Sequence, residues 1–214
     1  MAAGHAERQT RASTLSRAMA FARSVNLRAQ DLPRAIASGE EAGTARSAFT
    51  DGVTRCGGGL PGWEAGSVHS AKFLEEATGN IALSAVHTIG SARVARERLA
   101  ADVRPRVRRC LAKAFRALGP AGALVRKRFI VSPLRERVRG VTMVGVRLAI
   151  TIVHLPNSQG GSRRTTRLDE DILGFVSGAN EIALTDTYAV HDPFATGVER
   201  KLLQLLHTRA ARAV

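Results

Sequence analysis

The sequence predicts an α+β fold: a long Ala- and Arg-rich helix and a C-terminal helix pack on a small antiparallel sheet, with an extended helical N-terminal arm. Apolar residues recur at helical spacing over residues 73–99. Apolar and polar residues alternate over residues 138–153, as they do in strands. A Gly-rich stretch at 57–62 precedes both patterns and has the composition of a flexible connector. We therefore expect an arm and linker at residues 1–69 and an α+β body at residues 70–214.

The N-terminal segment contains two candidate helices. Residues 13–29 place apolar side chains at helical spacing, and a serine or threonine can cap the first turn. A second, short helix can start at Asp31, with Pro33 in its first turn. The sequence CGGGLPGW at 56–63 superficially resembles a phosphate loop, but it lacks the Gly-Lys-Ser/Thr ending that contacts phosphate and magnesium. We interpret it as a linker.

A long helix is predicted to begin after Ser70 and to continue to about Val103. Small residues dominate one side of it, so another helix or a sheet can approach closely. Pro105 is expected to break or kink this helix, because proline removes a hydrogen bond and clashes with the preceding turn. A second helical segment is predicted for residues 106–118.

Strands are predicted in the second half of the chain. Residues 128–131 form a short candidate and residues 138–153 a longer one, whose alternation changes phase at Gly145. The phase change suggests a bulge or a turn between two strands. Residues 172–176 and 182–188 are further strand candidates, separated by a turn.

The end of the chain predicts a loop and a helix. Residues 156–166 have the composition of a mobile loop, with arginines at its base. Asp192 and Pro193 are a strong helix start, since Asp favours the cap and Pro the first helical position. The helix is expected to reach about Arg212. The longest apolar run in the chain, 141–153, is too short to span a membrane, and no membrane partner is predicted.

Positive charge is concentrated in the middle of the chain. The whole chain has a formal net charge of +14, and residues 93–139 hold fifteen Lys and Arg against three carboxylates. Self-repulsion in such a block opposes folding, so we interpret it as a surface that meets an external polyanion or an acidic partner. The residues predicted to make this contact are Arg104, Arg106, Arg108, Arg109, Lys113, Arg126, Lys127, Arg128, Arg135, Arg137, Arg139, Arg163, Arg164 and Arg167.

The composition favours backbone contact over base recognition. Aromatic residues make up 4% of the chain, which is few for a platform that stacks single-stranded bases. The segment after residue 121 is too apolar and too short to serve as the recognition helix of a helix-turn-helix. The candidate partners are therefore DNA or RNA phosphates, an acidic protein, other assembly proteins and further copies of the chain.

No catalytic, cofactor-binding or metal-binding set stands out, and we predict a non-enzymatic protein. Cys56 and Cys110 are too few and too far apart for a zinc site; one disulfide remains open, and a reducing compartment is the default. His191 beside Asp192 could form a base and its orienting carboxylate, although neighbouring residues on a strand point to opposite faces. Residues 169–171 could bind a divalent cation, but three adjacent acids more often pair with nearby arginines.

Three segments together resemble the minor tail protein Z family of lambda-like phages, which are neck and tail-completion proteins. They are ALSAVHTIGSARVARERL (82–99), RVRRCLAKAF (106–115) and AVHDPFATGVERKLLQLL (189–206), within a similarity that covers residues 72–212. The resemblance implies a long Ala-rich helix running into a basic segment, then a small sheet and a closing helix. It also implies a ring-forming, non-enzymatic virion component at the head–tail junction, with its basic surface near DNA or an acidic neighbour.

We therefore predict a structural assembly protein of a virion. The alternative is an RNA-binding structural subunit of a cytoplasmic or mitochondrial ribonucleoprotein, such as a mitochondrial ribosome, because an N-terminal arm, a basic block and a basic loop suit that role equally well. A small enzyme is the third hypothesis, and it would require a pocket around His191 or residues 169–171.

Overall fold

The fold is organised around one large antiparallel sheet, as seen in a computed structural model that describes residues 16–38, 56, 64–117, 124–154, 164–190 and 196–213. A single 3-10 turn, Ala29–Asp31, follows the first helix. The elements in chain order are α1 (16–25), β1 (Ala35–Ser38), β2 (Glu64–His69), β3 (Lys72–Glu75), β4 (Asn80–Ile89), α2 (Ala92–Asp102), α3 (Pro105–Ala117), β5 (Leu124–Val138), β6 (Val141–His154), β7 (Arg164–Ser177), β8 (Asn180–Ala189) and α4 (Thr196–Ala213).

The strands are arranged in the order β1-β3-β4-β8-β7-β6-β5, and every neighbouring pair is antiparallel. Strand β2 also pairs with β4, beside β3. Ser70 separates β2 from β3 and keeps both on one edge of β4: its backbone N–H donates to the Ser84 carbonyl at 2.8 Å, and its Oγ accepts from the Ser84 N–H at 3.0 Å. Strands β4 and β8 therefore lie in the interior of the sheet.

Helices cover both faces of the sheet. On one face α1 and α4 form the larger core, in which Val25, Ile182 and Leu206 have no exposed surface. On the other face α3 packs Val107 and Leu111 against β5 and β6, and α2 lies across β6, β7 and β8. A sheet buried on both faces needs apolar side chains at successive positions rather than a strict alternation.

That double burial explains why the predicted long helix is wrong over most of its length. Residues 72–75 and 80–89 are β3 and β4, joined by a turn in which Gly79 has a φ of 74°. Strand β4 is buried on both faces, so its apolar residues also satisfy a helical spacing. Only residues from Ala92 onward are helical, with the Ser91 side chain accepting from the Val94 N–H at 3.2 Å. The expected small sheet is instead an eight-stranded one.

The N-terminal segment is part of the body, and the prediction of an extended arm is wrong. Leu27 donates its backbone N–H to Ser84 Oγ at 2.9 Å, and Asp31 accepts two hydrogen bonds from Arg209 of α4 at 2.7 and 2.8 Å. The boundary expected at residue 69 falls at the end of β2, and β2 is paired with β4 of the body. Most of the expected linker, at 39–55 and 57–63, lies outside the described residues.

Strand β6 passes through Gly145 without a bulge, so the expected irregularity there is wrong. Its register with β5 and with β7 is continuous at this position. The apolar residues change phase because Met143 faces the core under α4, whereas Val146 faces the core under α3. Gly145 itself is needed for close packing, since a Cβ there would overlap the carbonyl oxygen of Ile172.

Several local predictions are confirmed. Residues 16–25 are helical, α2 ends before Pro105, and α3 begins at that proline. Strands β7 and β8 contain the two later strand candidates and are joined by the expected turn, where Gly178 has a φ of 58°. The C-terminal helix is present as α4. Asp192 and Pro193, its expected start, lie outside the described residues.

Candidate functional site

Helix α3 presents a stripe of positive charge to solvent. Arg106, Arg109 and Lys113 are all exposed, and their i, i+3, i+7 spacing places them on one side of the helix. Val107 and Leu111 are buried on the opposite side, against the sheet. The same packing that fixes the helix therefore fixes the direction in which its cations point.

The second half of β5 adds cations on the same side of the sheet. Val131 packs against α3, and strand alternation places Arg135 and Arg137 on the face that Val131 occupies. Both arginines are exposed, as is Arg104 at the corner between α2 and α3. We call this surface the basic face and define it by Arg104, Arg106, Arg109, Lys113, Arg135 and Arg137.

Arg108, also predicted to contact a partner, has an internal role. Its Nε donates to the Val103 carbonyl and one of its terminal nitrogens donates to the Val131 carbonyl, both at 3.2 Å. The side chain is half-buried between the end of α2 and the middle of β5. It fixes α3 to the sheet and so positions the basic face without belonging to it.

Within the described part of the chain, no carboxylate lies within 4.0 Å of any nitrogen of the basic face. The ion pairs that the described residues do form involve arginines outside the basic face. These pairs are Arg93–Glu97, Arg98–Glu181, Arg147 with Asp169 and Asp171, and Arg209–Asp31.

The remaining predicted contact residues are dispersed. Arg139 lies in the β5–β6 turn and donates to Thr208 Oγ1 of α4 at 3.0 Å, so it faces the other side of the sheet. Arg164 pairs with residue 154 at the far end of β6, about 33 Å along the strand from Arg135. Arg167 is exposed and lies on the α4 side of the sheet, opposite to the basic face. Arg163 lies outside the described residues, as do the side chains of Arg126, Lys127 and Arg128.

A buried acidic network lies on the α4 side of the sheet. Arg147 binds both oxygens of Asp171 at 2.7 Å, and the Tyr188 hydroxyl donates to Asp171 at 2.9 Å. Burial raises the pKa of Asp186, which lies opposite Asp171 in the sheet, and the negative charges of Glu199 and Asp171 raise it further. Burial, followed by the charges of Asp171 and Glu136, raises the pKa of Glu199 in α4 to about 7. Carboxyl groups from the first turn of α4 and from the centre of the sheet are therefore near enough to affect one another's protonation.

We expect this network to make stability depend on pH through Glu199. The pKa is higher in the folded protein than its ordinary value of 4.5, so the folded state binds the proton more tightly and the free energy of unfolding falls as pH rises from 4.5 to 7. For the half-buried Glu199 the loss is about 1–2 kcal/mol. Urea unfolding at several pH values measures this dependence. Between pH 4.5 and 7 the free energy of unfolding should fall less for Glu199→Gln than for the wild type. Glu97→Gln, on exposed α2 surface, should retain the wild-type profile, and parallel profiles for all three proteins would contradict the assignment.

The three acidic side chains at 169–171 point to two different sides of the sheet. Asp169 and Asp171 point to the α4 side, where they contact Arg147, whereas Glu170 points to the other side. Among the described residues, no group of three or more His, Cys, Asp or Glu side chains converges to hold a metal ion. His191 lies outside the described residues.

A second buried polar cluster lies under α2, and the sequence did not predict it. Ser67 Oγ is 3.2 Å from His69 Nε2 and 3.0 Å from His87 Nδ1. His87 lies opposite Glu181 in the β4–β8 pair, and Arg98 Nε is 3.8 Å from a Glu181 oxygen. These side chains come from β2, β4, α2 and β8, which only the long-range strand pairing brings together. Once residues 80–89 are assigned to a strand, the spacing of His87 from Ala85 would have placed it on the face under α2.

Cys56 and Cys110 form a disulfide, with 5.5 Å between their Cα atoms. Cys56 is buried in the core beneath α3, and Cys110 packs against the same core. The bridge therefore attaches residue 56 to the helix that carries the basic stripe. It is the disulfide that the sequence left open, and it weighs against the default of a reducing compartment.

Comparison with known proteins adds little to this description. No protein-family model and no curated protein matches the chain. Among solved structures, it is similar to the extracellular domain of PknH from Mycobacterium tuberculosis, with 8% identity, a TM-score of 0.45, and coverage of 89% of this chain and 95% of that one. A similarity this distant carries no argument about fold or function. None of the helices in the described ranges is long and apolar enough to cross a membrane.

The resemblance to the minor tail protein Z family stays a prediction that no finding tests. Two of its structural implications are wrong, because residues 82–89 lie in β4 rather than in a long helix and the sheet has eight strands rather than few. The basic segment at 106–115 does lie in a helix, α3, and residues 196–206 lie in α4.

Proposed function

We propose that this protein is a non-enzymatic assembly component that binds the phosphate backbone of a nucleic acid through its basic face. The observation that carries the proposal is the charge arrangement on the α3 side of the sheet. Six exposed cations there have no carboxylate within 4.0 Å in the described residues, although partly buried arginines elsewhere in the chain are paired with carboxylates.

The geometry suits contact with a backbone rather than recognition of bases. The stripe from Arg106 to Lys113 extends over about 10 Å of helix axis, and Arg135 and Arg137 continue the positive surface on the neighbouring strand. Arginine forms bidentate hydrogen bonds with phosphate oxygens, and such contacts position a protein without reading sequence. Because α3 packs its apolar side on the sheet, it cannot enter a groove as a free recognition helix.

The disulfide helps to choose between the two assembly settings. Disulfides persist on virions and outside the cytoplasm and are rare in reducing compartments. The Cys56–Cys110 bridge therefore supports the virion proposal over a cytoplasmic or mitochondrial ribonucleoprotein. Sizing chromatography separates the two directly: a defined oligomer free of nucleic acid supports a virion component, and a monomer that changes size only with RNA supports the ribonucleoprotein.

We expect binding to duplex DNA to weaken steeply with salt and to depend on the basic face. Six phosphate contacts give a slope of about −5 in log K against log salt concentration, since each contributes about 0.9. The variant Arg106→Gln/Arg109→Gln/Lys113→Gln should bind more weakly, and its slope should be about −3. Fluorescence anisotropy of a labelled duplex across a salt series measures both quantities.

The matched control removes the same charge from elsewhere. Arg167→Gln/Lys201→Gln/Arg212→Gln also loses three exposed cations, but these lie on or beside α4, on the other side of the sheet. This control should keep a slope close to that of the wild type. Equal slopes for the two triple variants would refute the basic face. Preferential binding to polyglutamate over DNA would assign the face to an acidic protein instead.

A further inference from the structure

A cavity of about 130 Å³ lies between α2 and the sheet, on the same side as α3 but under a different helix. Its walls are mainly apolar and include Leu83, Leu99, Val146 and Ile172, contributed by β4, α2, β6 and β7. An engineered apolar cavity of about 150 Å³ is large enough to bind benzene. The space under α2 is therefore sufficient for a compact ligand of about five or six non-hydrogen atoms.

Asp102 supplies a hydrogen-bonding group that the described protein does not satisfy. It lines the cavity from α2 and is 9% exposed. Its Oδ1 has no hydrogen-bond partner among the described residues. An unsatisfied buried polar atom is unfavourable, so a ligand that donates a hydrogen bond to Asp102 would supply a contact that the described residues leave unmade.

The chemistry of the unsatisfied group selects the class of ligand. The oxygen belongs to the Asp102 carboxyl group, which disfavours an anionic ligand and favours a cationic one. Two imidazoles complete the polar lining, and Ser67 holds both of them by hydrogen bonds. The titratable groups that face the cavity are Arg98 and Asp102 from α2, Glu181 from β8, Glu170 from β7, His87 from β4 and His69 from β2.

We propose that the cavity binds a small aliphatic primary amine, with its ammonium group on Asp102 and its hydrocarbon body against Leu99 and Ile172. An ammonium offers three donors and a positive charge, so it satisfies Oδ1 and compensates the charge of the Asp102 carboxylate. A neutral alcohol of the same shape would fill the space without compensating the charge. This inference is independent of the proposed nucleic-acid contact, because the cavity lies beneath α2 and shares no residue with the basic face.

Proton linkage gives the site a distinctive signature. Burial raises the pKa of Asp102, the nearby Glu181 raises it further, and Arg98 partly opposes both. An ammonium placed beside the carboxyl group favours its charged form, so amine binding should release a proton from Asp102. Titration calorimetry in two buffers with different ionisation enthalpies measures this release.

The test uses isobutylamine as the cation and isobutanol as its neutral counterpart, each titrated into the full-length protein. We expect the amine to bind with a Kd of about 1 mM and the alcohol at least about 10-fold more weakly. Asp102→Asn should weaken amine binding by about 10-fold or more and abolish proton release. Glu97→Gln, an exposed carboxylate on the same helix, should bind the amine as the wild type does.

A cavity-filling variant keeps the inference testable if Asp102→Asn alters the fold. Ala183 lines the cavity from β8, and Ala183→Val should occupy part of the space and abolish amine binding while the protein remains folded. Binding of isobutylamine that is absent up to about 10 mM, equal to that of isobutanol, or unchanged in both Asp102→Asn and Ala183→Val would overturn the assignment. None of these outcomes affects the salt-dependence test of the basic face.

Discussion

Replacing Arg147 with methionine is expected to destabilise the protein by about 3 kcal/mol, because it leaves the buried Asp171 carboxylate without its counter-charge. Arg147 makes two hydrogen bonds of 2.7 Å to Asp171, whose side chain is only 2% exposed. The loss should lie at the lower end of the range for buried pairs, since the Arg147 side chain is itself 39% exposed. Urea unfolding followed by circular dichroism measures the change.

The surroundings of Asp171 make this loss hard to compensate. Asp186 and Glu199, the neighbouring side chains on the same side of the sheet, are carboxyl groups and cannot replace the counter-charge, and only the Tyr188 hydroxyl would remain as a donor to Asp171 among the described residues. Hydrogen bonding to Asp171 raises the pKa of Arg147 above its ordinary value, although burial opposes this, so the guanidinium stays charged at any working pH. The pair thus holds β6, β7 and β8 together beneath α4.

Two further variants isolate the ion pair. Arg135→Met changes an exposed strand arginine that has no ion pair in the described residues, and its effect should stay within about 0.5 kcal/mol. Arg147→Met/Asp171→Asn removes both charges and should recover most of the stability lost in the single variant. A single variant as stable as the wild type would show that the pair contributes little. A double variant no better than the single one would show that lost packing of the arginine stem is the cause.

Local signals in the sequence were sufficient for about half of the elements. Pro105 separates α2 from α3 because a proline interrupts a helix whatever surrounds it. The β7–β8 hairpin follows from two apolar runs around a Gly-containing turn. The stripe of Arg106, Arg109 and Lys113 also follows from spacing alone, once Val107 and Leu111 are assigned to the buried side.

Strand β4 could not be predicted in the same way, because its pattern depends on what covers it. Ala82, Ser84 and Val86 face α1 and α4, whereas Ala85 and His87 face α2, so every position is at least half-buried. Such a segment has no alternation to reveal it, and its small residues also suit a helix. The turn at Gly79 was the one local signal of a strand start.

Both the cavity and the disulfide depend on long-range pairing. His69, His87 and Glu181 meet because β2 and β8 flank β4 on opposite sides, an arrangement that no local pattern encodes. The cysteines are separated by 54 positions, and the sequence could not show that Cys56 lies beside α3. Their spacing therefore left a disulfide open, with a reducing compartment as the default.

Removing the disulfide is expected to lower the free energy of unfolding by about 4 kcal/mol. In the chain-entropy account, a bridge that closes a loop of 54 residues restricts the unfolded chain by about that amount. Loss of packing adds to this, since Cys56 is buried in the core with Leu111 and Val131. Urea unfolding of Cys56→Ser/Cys110→Ser, compared with the oxidised wild type, measures the difference.

Reduction of the wild type supplies the control for that variant. Wild-type protein in excess dithiothreitol should unfold at nearly the same urea concentration as Cys56→Ser/Cys110→Ser, whose own midpoint should not respond to the reductant. Equal midpoints for oxidised and reduced wild type would show that the bridge does not restrict the unfolded chain. Alkylation of the protein immediately on extraction from its native source, without reductant, then tests where it resides. Protection of Cys56 and Cys110 from the reagent supports a virion or extracytoplasmic location, and full labelling favours the ribonucleoprotein alternative.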